Sequence, residues 1–207
     1  MASENSSDGA ATRYGGRYVA DTVRHTAKIL VVGAFGVGKT TLIGSVSEID
    51  PLRTEESMTV ASVGVDDLAG LEGKHATTVA MDFGRITVSD QLVLYLFGTP
   101  GQRRFWDLWE GLAEGAVGAL VIVDTRRLEQ SFEVLDQLET HSTALPFAVA
   151  VNNFPDSPRY APDELAEALD LPPGTPVIDC DARDHSSAVK ALITLVEHAV
   201  SAQKVAP

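Results

Sequence analysis

Gly33-Ala34-Phe35-Gly36-Val37-Gly38-Lys39-Thr40 decides the reading of this chain. Its spacing is G-x-x-x-x-G-K-[ST], the pattern of a phosphate-binding loop. The flanks fit the same reading. Lys28-Ile29-Leu30-Val31-Val32 is an apolar run that reads as a buried strand, and Thr41-Leu42-Ile43-Gly44-Ser45-Val46 reads as a helix leaving the loop. Glycines let successive N–H groups turn inward as an anion nest, and the helix start adds its positive dipole end. Gly33, Phe35, Gly36, Val37, Gly38, Lys39, Thr40 and Thr41 are therefore the candidate phosphate ligands. Lys39 is suited to the β- and γ-phosphates and the Thr40 hydroxyl to Mg²⁺.

Outward from the loop, apolar runs alternate with helical spacing. Val79 to Ile86 and Gln91 to Phe97 read as a strand pair joined by Thr87-Val88-Ser89-Asp90. Val117–Val123, Pro146–Val151 and Pro176–Cys180 read as further strands, the first two apolar throughout as parallel strands covered on both faces are. Leu128, Phe132, Leu135 and Leu138 form one helical stripe. Leu165, Ala168 and Leu169 form a second, and Val189, Leu192, Ile193, Val196 and Val200 a third. The order implies an α/β fold with a mainly parallel six-stranded sheet flanked by helices. Residues 1–26, rich in Ser, Gly and Ala, read as a disordered tail, 27–202 as a single domain and 203–207 as a disordered end.

Bulk properties narrow the function. At 207 residues the chain fits one such domain, and a formal charge of −13 disfavours nucleic acid or an anionic membrane as partner. One cysteine, Cys180, excludes an intramolecular disulfide and a cysteine-based zinc site. The polar start Met1 to Gly9 lacks a secretory core, no apolar run reaches membrane-spanning length, and lipidation signals are absent. A cytoplasmic protein without direct membrane insertion is expected, with membrane recruitment left to a partner.

Two further stretches carry chemistry. Arg53 to Lys74 is longer than an ordinary connection and reads as a functional loop. It runs into Thr77 and Thr78, either of which can complete the Mg²⁺ shell and meet the γ-phosphate; Thr78 is favoured. Asp82 follows as a partner of the metal through water. Leu96-Phe97-Gly98-Thr99-Pro100-Gly101-Gln102 places Gly101 for close approach to the γ-phosphate, and Gln102, the candidate catalytic residue, to orient an attacking water.

The loop at 33–40, the Gly98–Gln102 segment, Val79–Gly84 and Val123-Asp124-Thr125-Arg126-Arg127 together resemble small Ras-like GTPases. Within these the chain is most similar to the bacterial MglA-like branch and to the actinobacterial conservon GTPases. The resemblance implies a three-layer P-loop NTPase domain of G-domain type, with GTP and GDP as ligands, Mg²⁺, and slow hydrolysis. It also implies partnership with a roadblock-type regulator and a sensor-kinase-like membrane protein. The Ras-like third motif opens on an aspartate where this chain has Gly98. The Asn-Lys-x-Asp base motif aligns from Asn152, with Pro155 in place of its aspartate, or from Asn153, with Asp156 in place. Asp181-Ala182-Arg183 resembles the Ser-Ala-Lys turn, whose alanine N–H meets the base oxygen. Asn152, Asn153, Asp156, Asp181, Ala182 and Arg183 are thus the base candidates, and ATP stays open beside GTP.

Two rivals follow from the residues. A nucleotide-sensing scaffold without useful hydrolysis fits Gly98 and Pro155. A small-molecule kinase needs a mobile late lid, for which Pro172-Pro173-Gly174-Thr175-Pro176 is too short. Phe105, Leu108, Trp109 and Leu112 form a stripe beside Gln102, and Trp106 and Trp109 are candidate partner anchors.

Overall fold

A computed structural model describes residues 19, 21–50, 52–58, 77–101, 111–141 and 145–205, with backbone alone for 52–58, 77–80, 203 and 205. Strand β1 (His25–Val32) enters the phosphate loop and helix α1 (Lys39–Val46) leaves it. There follow β2 (Leu52–Met58), β3 (Thr77–Thr87), β4 (Leu92–Gly98), β5 (Ala116–Val123), α2 (Glu129–His141), β6 (Phe147–Asn152), α3 (Pro162–Ala168), β7 (Val177–Cys180) and α4 (His185–Val205).

The strands form one sheet in the order β2-β3-β4-β1-β5-β6-β7. Pairs β1·β4, β1·β5, β5·β6 and β6·β7 are parallel, while β2·β3 and β3·β4 are antiparallel. The mainly parallel α/β sheet with flanking helices is the expected architecture, and all six expected strands form. A seventh joins them. Leu52–Met58, read from sequence as part of a long loop, pairs antiparallel with β3, Ser57 opposite Thr78. Its Leu-Arg-Thr-Glu-Glu-Ser-Met sequence has no apolar alternation, so the signal of a half-buried strand is missing. The expected tail and end also shift: β1 begins at His25, and α4 continues to Val205.

The central strands carry the core. Every residue of β6 is buried, as are the last four of β1 and the last six of β5. Such runs arise when helices cover both faces of a parallel sheet. On α4 the buried face is Ala188, Ala191, Leu192, Leu195 and Ala199, one residue round from the expected stripe. Small alanines let the helix approach the sheet. Ile193 and Val200 are left half exposed, as is Phe132 of α2. Ala168 is exposed as well, while Leu165 and Leu169 are buried as expected.

Among the described residues, no helix is long and apolar enough to cross a membrane. β1, β3 and β4 deliver Asp82, Gly98 and the loop at 33–40 to one end of the sheet, where the candidate site lies.

Candidate functional site: a phosphate cleft and a base-side turn

The loop's glycines adopt the conformation that the motif requires. Gly33, Gly36 and Gly38 have φ of 149°, 78° and 109°. Gly38 is also the N-cap of α1, which has neither a side-chain cap nor an acidic residue in its first turn. The helix therefore begins with open N–H groups, and an anion is the natural partner for them.

Phe35, Gly36, Gly38, Lys39, Thr40, Thr41, Asp82, Thr99, Pro100 and Gly101 line a single cleft of about 420 Å³. Eight of these ten were candidates from sequence, and Thr99 and Pro100 join them. Gly33 and Val37 sit behind the cleft wall. The Lys39 ammonium donates to the carbonyls of Gly33 at 2.7 Å and Ala34 at 2.8 Å. Burial pushes it down to about 8, and the Asp82 carboxylate opposes that shift. Lys39 is thus a poorly solvated cation awaiting an anion.

Opposite it, the Thr40 hydroxyl donates to Asp82 Oδ2. Asp82 and Gly98 are register partners across β3 and β4. A Cβ at Gly98 would stand 3.0 Å from Asp82 Cβ and 2.9 Å from Ile43 Cδ1, so Asp82 and Ile43 occupy the space of a side chain at 98. Gly101 closes the cleft just as tightly: a Cβ there would be 2.7 Å from the Phe35 nitrogen. The buried Thr99 hydroxyl has no hydrogen-bond partner among the described residues. A buried orphan oxygen in a polar cleft calls for a ligand or a water. The sequence placed Thr99 in the right segment, yet no pattern marks it as a ligand.

The base side is wired differently. Asn152, buried, donates from Nδ2 to the Val37 carbonyl at 2.9 Å and accepts at Oδ1 from the Ala182 N–H at 3.0 Å. Asn152 thus ties the phosphate loop to the turn after β7, and it engages the Ala182 N–H. The reason is proximity: Gly38 lets Asn152 approach so closely that a Cβ on Gly38 would sit 2.5 Å from Nδ2.

Asn153 donates its N–H to the Cys180 carbonyl at 2.7 Å. Arg183 grips Asp181 with Nε at 2.9 Å and Nη2 at 2.8 Å, and holds that carboxyl down to about 2. Asp156 lies exposed at φ 63°. None of Asn153, Asp156, Asp181 and Arg183 lines the phosphate cleft. Cys180 is buried, and burial pushes its thiol up to about 11.

Between the two sides lies a charged knot. Asp124, buried at the end of β5, receives Arg126 at 2.9 and 2.7 Å and Arg127 at 3.3 Å. Arg126 lies 3.9 Å over the Phe154 ring. Both arginines hold the Asp124 carboxyl below the usual range, Arg126 more strongly. Gln102, and Phe105, Trp106, Leu108 and Trp109 beside it, fall outside the described residues, as does the side chain of Thr78.

The chain is similar to several known proteins. An uncharacterized protein of Methanocaldococcus jannaschii, MJ1339, is 31% identical over 127 residues, covering 60% of this chain and 68% of that protein. Human Ras-related protein Rab-7b is 26% identical over 182 residues, covering 84% and 82%. The crystal structure of the G domain of the T. maritima FeoB iron transporter superposes with a TM-score of 0.56 at 17% identity, covering 86% of this chain and 99% of that one. These place the fold among G domains and the function among nucleotide-binding, G-protein-like proteins of the P-loop NTPase group. A family model described as "conserved hypothetical ATP binding protein" matches residues 31–202, and the chain belongs to that family.

Proposed function

We propose that this chain is a Mg²⁺-dependent nucleotide switch that binds a nucleoside triphosphate in the 33–40 loop and hydrolyses it slowly. The observation that carries the reading is the cleft itself: an uncapped helix start, a desolvated Lys39, and the Thr40–Asp82 pair across from it. In this reading Gln102 orients water, and Thr78 and Gly101 meet the γ-phosphate. The residues fit a magnesium ion. Thr40 would ligate it, Asp82 would hold it through water from the space vacated at Gly98, and the orphan Thr99 hydroxyl offers a further polar anchor. When bound, Mg²⁺ would neutralise phosphate charge. Among the described residues no three His, Cys, Asp or Glu cluster as a metal site, so the nucleotide itself must supply much of the shell.

GTP and GDP are the ligands implied by the Ras-like and MglA-like resemblance, with action in a bacterial signalling complex beside a roadblock-type regulator and a sensor-kinase-like membrane protein. ATP is a second reading with its own support. Pro155 replaces the guanine-reading aspartate in the Asn152 register, the Ala182 N–H is engaged by Asn152, and the family is described as ATP-binding.

Equilibrium binding of GTP, GDP, ATP and ADP, with and without Mg²⁺, tests the reading in wild type and Asp82→Asn. The expected result is tight, Mg²⁺-enhanced binding of one base class, with the Mg²⁺ enhancement reduced about tenfold in Asp82→Asn. Mg²⁺ enhancement unchanged in Asp82→Asn would remove Asp82 from the metal. Absence of binding by all four nucleotides would end the switch reading.

A further inference from the structure

Among the described residues, the charged ones lining the phosphate cleft are one cation, Lys39, and one anion, Asp82. They nearly cancel, whereas a nucleotide's phosphate chain carries several negative charges. Lys39 has also committed two of its three donors to carbonyls of its own loop. Among the described residues, a further cation stands beside the cleft in the Asp124 knot.

Arg126 and Arg127 share the Asp124 carboxylate unequally. Arg126 takes both oxygens at 2.9 and 2.7 Å, adds its backbone N–H at 3.0 Å, and rests on the Phe154 ring. Arg127 makes two long contacts through Nη2 alone, 3.3 Å to Asp124 Oδ2 and 3.5 Å to the Phe35 carbonyl. A guanidinium has five N–H donors, so most of Arg127's donors have no protein acceptor among the described residues. Its side chain is 38% exposed. Nη2 would lie 3.5 Å from a Cβ on Gly36, a residue that lines the cleft. The guanidinium therefore stands on the rim of the phosphate loop, loosely held. It can leave without stranding Asp124, because Arg126 keeps that carboxylate paired.

We propose that Arg127 is a phosphate-binding residue: when a nucleotide enters, its guanidinium exchanges the long contact with the Phe35 carbonyl for charge-assisted hydrogen bonds to the phosphate chain. This rests on the nucleotide-switch reading and extends it with a cation that lies outside the Gly33–Thr40 motif. Such bonds gain more than neutral ones, and arginine's planar fork suits phosphate oxygens.

The test compares affinities of wild type, Arg127→Ala and Arg127→Lys for GDP and ADP, and for guanosine and adenosine by titration at millimolar concentration. Each diphosphate series is run from 50 to 300 mM salt. Arg127→Ala is expected to weaken the bound diphosphate about tenfold or more and leave the nucleoside unchanged. Its salt dependence should flatten, and Arg127→Lys should restore part of both effects. Equal losses for nucleoside and diphosphate would show that Arg127 only braces the loop or meets the ribose, and would overturn the proposal. So would an unchanged diphosphate affinity or salt slope. Thermal midpoints of the three proteins identify a folding defect, in which case the lysine variant and the salt slope decide. If wild type binds neither diphosphate, the nucleotide reading falls first and this inference falls with it.

Discussion

The phosphate side and the base side of this molecule are built on opposite logic. On the phosphate side, polar groups stand open: uncapped N–H groups at the start of α1, a desolvated ammonium at Lys39, and an orphan hydroxyl at Thr99. On the base side, most candidate groups already answer one another. Asn152 joins Val37 to Ala182, Arg183 holds Asp181, and Arg126 holds Asp124 while lying over Phe154. Unsatisfied buried polarity costs free energy until a ligand arrives, whereas satisfied polarity stiffens a scaffold. The contrast teaches that the two sides differ in how far their polar groups are paired within the protein: open at the phosphate loop, joined to one another at the residues that resemble a base-recognition motif.

The contrast can be broken at its strongest point first. Lys39→Ala should weaken triphosphate binding by about a hundredfold or more, since charge-assisted bonds to phosphate are lost. The empty fold should not lose stability, because the variant removes a buried cation that burial disfavours. Calorimetric titration and a thermal melt check both halves; a melt lowered by many degrees would mean that Lys39 is a structural strut instead.

Asn152→Ala comes next. It leaves the Val37 carbonyl and the Ala182 N–H without their partner, and should cost about 2–4 kcal/mol in denaturant unfolding. Affinity for GDP and ADP should fall by equal factors. Selective loss of one base would place Asn152 at the base and dissolve the contrast.

The smallest effect is a pH dependence. The folded-state pKa of Lys39 is lowered to about 8 from 10.5. Between those values the unfolded chain binds more protons than the native one, so the stability of the empty protein should rise with pH across that window. Nucleotide binding should show the reverse trend, because it needs the protonated ammonium. Affinity is expected to fall about tenfold between pH 7 and pH 9. Profiles measured in wild type and Lys39→Ala sharpen the assignment: the variant should lose both slopes.

How far the site could be read in advance follows from how local each feature is. The 33–40 loop is contiguous, and its glycines and lysine sit at fixed spacing, so the pattern alone located Phe35, Gly36, Gly38, Lys39 and Thr40 in the lining of the cleft. Asp82 was named for the metal, yet its relation to Gly98 became visible only through strand register, which brings residues sixteen apart face to face. Arg127 stands in the Val123–Arg127 stretch that carries the resemblance, yet no spacing points it at the loop, since its contact with Phe35 spans 92 positions. The face of α4 misled for a different reason. Periodicity ranks valine and isoleucine above alanine, but the sheet accepted the alanines because they permit closer approach.

From its sequence alone this protein was bound to carry a phosphate loop at the end of a buried strand, in a mainly parallel α/β sheet. Short-range backbone geometry and apolar runs suffice for that, because each acts within a few residues. Only the tertiary structure decided that Leu52–Met58 adds a seventh strand, that Asn152 and Ala182 satisfy each other, and that Asp82 fills the space beside Gly98. Those outcomes depend on which polar groups meet after the chain has closed on itself. Many residues could make such pairs, and the folded register selects among them.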